Sequence, residues 1–194
     1  MRPPPNARLV LREATAAAHE RLHGIPVFLA LAEGRLDRPA YAGLLRRLLG
    51  FHAAVEATLA AAPPLARYGI DLAARRRAPL LQADLAHLGL PAEAPLAPVP
   101  AFPGAAEALG ALYVTEGSTL GGRQLARGLD HLLPAGEGRG FLLGHGARHG
   151  AMWAACCAAI EACGAEPGGL AGMRSGAAET FAAFEAWFSP SAPA

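Results

Sequence analysis

His19 shares one helical face with Arg12, Thr15, Ala16 and His23, which stand at offsets of three, four, seven and eleven residues when counted from Arg12. An imidazole in that setting can ligate a metal, and the small side chains of Thr15 and Ala16 leave space for a flat ligand to lie against the helix. Arg12 is two turns from His19, roughly 10 Å at ~1.5 Å per residue, where a planar metal-centred ligand with acidic arms would carry a carboxylate. All 17 basic residues are arginines, so any anionic group must be held by a guanidinium, whose planar fork matches a carboxylate. A helical histidine is more often solvated or hydrogen-bonded than metal-bound. The face permits this chemistry without establishing it.

The second notable stretch is Gly117-Ser118-Thr119-Leu120-Gly121-Gly122, set in an otherwise helical pattern. Three glycines there cost roughly 1 kcal/mol each against alanine. Either a kink brings two helices close together, or the bare backbone lies directly over a ligand, with freed amides and Ser118 facing it. A phosphate loop is excluded, since neither the Gly-x-x-x-x-Gly-Lys pattern nor a preceding strand is present.

Other candidates are weaker. Asp84-x-x-His87 puts a carboxylate and an imidazole on one helix face, as di-iron bundles do, but no second such pair occurs. No paired acidic nucleophile arrangement can be built around His131, His145 and His149, and the Gly-x-Ser-x-Gly elbow is missing. Cys156, Cys157 and Cys163 lack the spacing of a zinc site or a disulfide framework and read as buried, inert thiols.

These residues must be positioned by helices. The 194 residues suit one domain, and only five Val, three Ile and five Thr are β-branched, so the expected fold is an all-α bundle over 1–194, with residues 1–7 and 189–194 as flexible ends. Helices are predicted from Arg8 to His23, stopped by Gly24 and Pro26, and from the Asp37 cap to Pro63. A third is predicted to begin after Asp71 and end near Gly89, followed by a proline-rich connector over 91–103. The pattern from Ala105 enters the glycine stretch and resumes from Leu125 to Leu133. The last two helices are Ala151–Cys163 and Leu170–Phe188, the second with Phe181, Phe184 and Phe188 along one side. The run Arg75-Arg76-Arg77 reads as a solvated helix face. A net charge of +1 supplies no field demanding nucleic acid or an anionic membrane. The proline-rich start lacks an apolar leader core, which points to the cytoplasm.

Leu11-Arg12-Glu13-Ala14-Thr15 through His19 resembles the proximal-helix motif of haem oxygenases, and Tyr113-Val114-Thr115-Glu116-Gly117-Ser118-Thr119-Leu120-Gly121-Gly122 is similar to their distal helix. Two such motifs in this order, about a hundred residues apart, carry far more weight than either alone. The resemblance implies a fold in which haem lies between a proximal and a kinked distal helix. It implies oxidative ring cleavage with O2 and electrons to biliverdin, CO and free iron, haem being both substrate and cofactor. His19 would be the iron ligand. Arg12 would hold a propionate, with Thr15 and Ala16 beside the ring, and Gly117, Gly121 and Gly122 would form the distal wall. An external redox partner such as a ferredoxin or reductase is implied. The Glu-Gly-Ser-x-Leu-Gly-Gly form resembles the bacterial branch that supplies bilin to bacteriophytochromes.

Two departures stand out. Ser118 occupies the position where many members carry an aspartate that anchors a proton-delivering water network, and a hydroxyl can orient water but lacks a carboxylate's field. Ala16 stands where some relatives carry a lysine near the propionates, so Arg148 or another arginine is expected to compensate. The competing reading is a haem carrier or sensor without turnover. A haem-free protein of similar architecture, such as a thiamin-salvage hydrolase or a di-iron oxidase, would leave His19 and the distal glycines without purpose.

Overall fold

The computed structural model describes residues 6–189, so most of the two ends expected to be flexible lies outside the described residues. Among the described residues there are α-helices and 3-10 turns, and no strand. In chain order the helices are α1 (Ala7–His23), α2 (Pro26–Ala32), α3 (Arg38–Ala61), α4 (Ala78–His87), α5 (Ala105–Gly117), α6 (Gly122–Arg127), α7 (Gly140–Leu143), α8 (His149–Gly164) and α9 (Gly169–Phe188).

The start of α1 is not loose. Asn6 caps it by accepting from the Leu9 amide at 2.8 Å, and the Glu161 carboxylate of α8 accepts from the Ala7 and Arg8 amides at 2.9 and 3.0 Å. A carboxylate at a helix N-terminus satisfies orphan donors and opposes the helix dipole. Ala7 is buried against Gly164 as a result.

Two of the helices are set by proline and aspartate caps. Pro26 does stop α1, but it also occupies the first position of α2, where its fixed φ favours a helix and its missing N–H costs nothing. Asp37 caps α3 as its sequence suggested, accepting from Ala40 at 2.8 Å.

The frame that carries the rest is the crossing of α5 on α9. A β-carbon on Gly110 would overlap the Met173 carbonyl, and one on Gly176 would overlap the Glu107 carbonyl, so glycines let the two backbones touch. Along that crossing runs an apolar core of Leu11, Phe51, Val55, Leu109, Leu112, Ile160 and Met173. A second core, including Leu31, Leu45, Leu81, Leu85, Leu129 and Phe141, joins α2, the first half of α3, α4, α6 and α7. Phe184 and Trp187 of α9 pack against both cores, and the Trp187 indole N–H donates to the Arg47 carbonyl of α3 at 2.8 Å.

Three boundaries differ from those expected. Residues 72–77 form a short 3-10 turn and an extended link, and α4 begins only at Ala78. The helix after the glycines ends at Arg127, and the next residue is Gly128, where a β-carbon would overlap the Leu31 carbonyl of α2. The one-turn helix α7 exists because Asp84 of α4 accepts from the Gly140 and Phe141 amides at 2.7 and 2.8 Å. That contact gives Asp84 of the Asp84-x-x-His87 pair a capping role, and no group of three or more metal-ligating side chains occurs among the described residues. Cys156 and Cys163 are buried and Cys157 is half-buried, all as free thiols.

Candidate functional site

Helix α1 buries Ala7, Leu11 and Thr15 and leaves Arg12, Ala16, His19 and His23 exposed. At about 100° per residue these exposed positions lie roughly a quarter of a turn from the buried edge. The whole predicted face is thus free except for Thr15. Its hydroxyl donates to the Leu11 carbonyl at 2.8 Å, so Thr15 lines the groove between α1 and α9 instead of offering a polar group outward. The His19 ring meets His23 edge-on at 4.7 Å between centroids. Partial burial, then the neighbouring His23, lower its pKa, with Glu20 opposing. A neutral imidazole is the form that can ligate a metal.

In the glycine stretch, α5 ends at Gly117, Ser118–Leu120 form a 3-10 turn, and α6 starts after Gly121. The three glycines have three different explanations. Gly122 is buried, and a β-carbon there would overlap the Leu142 carbonyl of α7, so its missing side chain lets α6 and α7 approach. Gly117 has room for a β-carbon, with the Trp153 ring at 3.8 Å. Gly121 is exposed, has φ −87°, and has nothing within 4 Å of the place where a β-carbon would sit. Neither backbone conformation nor packing within the chain calls for glycine there. Beside it Leu120 is 56% exposed, an apolar side chain with no cover.

The residues between the glycines are held from behind by the arginine run, which is not a solvated face. Only Arg76 is exposed, paired to Glu56. Arg77, 4% exposed, donates through Nη1 to Ser118 Oγ at 2.9 Å and to the Thr115 carbonyl at 3.2 Å, and through Nη2 to the Phe141 carbonyl at 3.0 Å. Its guanidinium also lies 3.9 Å from the centre of the Phe141 ring. Burial pulls its pKa down to about 10, which still leaves it cationic at neutral pH. Arg75 pairs with Glu116 Oε2 at 2.8 Å and donates to the Met152 carbonyl at 3.1 Å. Glu56 of α3 fixes this link by accepting from the Arg77 and Ala78 amides at 2.6 and 2.8 Å.

Ser118 is correspondingly less free than a lone hydroxyl. Its proton goes to the Thr115 carbonyl at 2.8 Å while its oxygen accepts from Arg77, so it presents a cation-linked oxygen instead of a mobile relay. Behind it His52, 4% exposed, lines a cavity of about 420 Å³ with Arg77, Leu112 and Thr115. Sequence alone gave no signal for Arg75, Arg77 or His52, because their partners lie far along the chain. Arg148 sits exposed in the turn before α8.

The two uncovered surfaces are linked through the frame. Both α1 and α5 pack along α9, and α2 runs from the end of α1 to α6. The chemistry these surfaces allow is one histidine ligand to a metal that brings its own planar ligand set, and a bare backbone surface backed by a buried cation.

Comparison with known proteins points the same way. The family model described as heme oxygenase matches residues 6–94. A heme oxygenase of Xanthomonas campestris pv. campestris (strain 8004) is 40% identical over 104 residues, which span 50% of this chain and 58% of that protein. The crystal structures of the NO- and CO-bound heme oxygenase from Neisseria meningitidis share the fold with a TM-score of 0.73 and 25% identity, over 97% of this chain and 96% of that one.

Proposed function

We propose that the chain is a haem oxygenase, binding haem between α1 and the 117–121 segment and cleaving the ring with O2 and electrons to biliverdin, CO and iron; the family model over residues 6–94, the Xanthomonas relative and the Neisseria structure support this reading. The observation that carries this reading is Gly121, a glycine with open space where its side chain would be and no demand from its own backbone. The residues present fit the group. His19 supplies an exposed imidazole with His23 one turn on, Ala16 keeps the helix surface low beside it, and Arg12 offers a fork for a propionate. Bound haem supplies the iron at which O2 is activated for attack on the ring.

The chain's own part is placement and proton control. Gly117 and Gly121 keep side-chain bulk out of the space above the ring plane. Arg77 places positive charge behind Ser118 and orients its hydroxyl, so that a water seated against Ser118 finds a fixed acceptor and a favourable field for giving up a proton. The buried cation thereby takes the place of the carboxylate usual at this position. The reading further assigns a ferredoxin or reductase as electron donor, a cytoplasmic location and, by the Glu116-to-Gly122 motif, supply of bilin to a bacteriophytochrome. No helix among the described residues is long and apolar enough to cross a membrane.

The test is to supply purified protein with one equivalent of haem, a reductant and O2, and to assay biliverdin and CO. Release of both supports the enzyme. A stable histidine-ligated spectrum under reductant, with neither product, replaces it with the haem carrier.

A further inference from the structure

Glu116 is the last residue before the glycine break, and its buried carboxylate is satisfied on one side only. Oε2 accepts from Arg75 at 2.8 Å. The polar atom facing Oε1 is His145 Nε2 at 3.9 Å, and that ring nitrogen is itself buried without a hydrogen-bond partner. A buried ring nitrogen without a partner thus stands just beyond hydrogen-bond range of a carboxylate oxygen, an arrangement folded proteins rarely leave unused. The His145 side chain is 4% exposed, yet it is carried by a turn whose neighbours Gly144 and Gly146 both have positive φ, +65° and +59°. The same stretch holds the main chain of the break. Thr119 Oγ1 donates to the Glu116 carbonyl at 2.6 Å and lies 3.1 Å from His149 Nδ1.

We propose that His145 is a positioning residue for the distal segment: as a neutral Nε2–H donor it secures the free oxygen of Glu116 and keeps residues 117–121 in shape, and its protonation releases them. The charges around it explain the second half. Arg77, Arg148 and Arg75 act on His145 from the α3–α4 link and the turn before α8, His149 adds to them when protonated, and the carboxylate in reach is Glu116. Burial first, and then these cations, hold the imidazole below its ordinary 6.5. The closed arrangement resists the proton, whereas a turn swung into water accepts it. Closure is therefore complete above about pH 6.5 and is progressively lost as pH falls toward the folded-state value. Burial raises the Glu116 carboxyl above its ordinary range, with the Arg75 and Arg77 cations opposing, so the His145→Gln variant is what separates the imidazole from the carboxylate.

Part of this inference rests on the proposed haem chemistry, so its first readout is independent of haem. In haem-free protein, amide hydrogen exchange at residues 117–121, corrected for the intrinsic rate, should lose about fivefold or more protection between about pH 7 and 5. The midpoint should follow the His145 ring titration seen by NMR, and the amides of α1 should not follow it. In His145→Gln, which keeps a donor but cannot titrate, protection should be independent of pH. In the haem complex, biliverdin formation by His145→Gln should stay within about threefold of wild type near pH 7.5 and lack the acid fall. Flat protection in the wild type, or the same acid fall in His145→Gln, overturns the proposal. Loss of protection in a protein that forms no biliverdin at any pH leaves His145 its positioning role and removes the haem oxygenase reading.

Discussion

Arg77 Nη1 lies 2.9 Å from Ser118 Oγ, joining a cation buried in the α3–α4 link to the centre of the glycine break. If that contact sets the field for proton delivery, its two ends should respond unequally. Ser118→Ala leaves Arg77 its two carbonyl partners and should slow biliverdin formation by about tenfold, or about 1.4 kcal/mol. Arg77→Lys keeps the charge but loses the fork that spans Thr115, Ser118 and Phe141, and should cost more in single-turnover rate. Equal haem affinity in wild type and both variants, measured by titration, would place the effect in the reaction and not in binding.

Gly121 and Gly122 are adjacent yet should behave in opposite ways. Gly121→Leu enters open space and relieves a glycine in a helical stretch, so the melting temperature of the haem-free protein should hold or rise, while haem affinity drops by about tenfold or more. Gly122→Ala overlaps the Leu142 carbonyl and should destabilise the fold by about 1–3 kcal/mol. Denaturation and haem titration on the same two variants check both halves.

His52 gives a pH prediction. Burial, then the Arg77 cation, hold its imidazole well below the ordinary range. The folded form stays neutral while the unfolded chain takes up a proton below about pH 6.5, so stability present above that pH is lost as pH falls. The ring meets Phe51 and Phe141 edge-on at 5.6 and 4.9 Å, a setting phenylalanine can share. Between about pH 7.5 and 5 the melting temperature of His52→Phe should therefore fall less than that of wild type.

What the sequence reveals depends on how far away each residue's partner is. The free face of α1 and the cap of α3 follow from spacing within one helix, and both were legible. The arginine run was misread because Arg75 and Arg77 point inward and Arg76 outward on a backbone that is not helical there, and the inward pair is fixed by Glu116, Thr115 and Phe141, 38 to 64 residues away. Helix α7 depends on Asp84, 56 residues earlier, for its first hydrogen bonds. The glycine stretch announced an unusual backbone, but separating Gly121 from Gly122 required knowing where α7 lies.

The most direct test of the account is the visible spectrum of His19→Ala with one equivalent of haem, compared with wild type. Wild type should show the histidine-ligated ferric spectrum, the variant should lose it, and adding imidazole should partly restore it, since an external ligand can occupy the vacated side of the iron. An unchanged spectrum in His19→Ala would contradict the account.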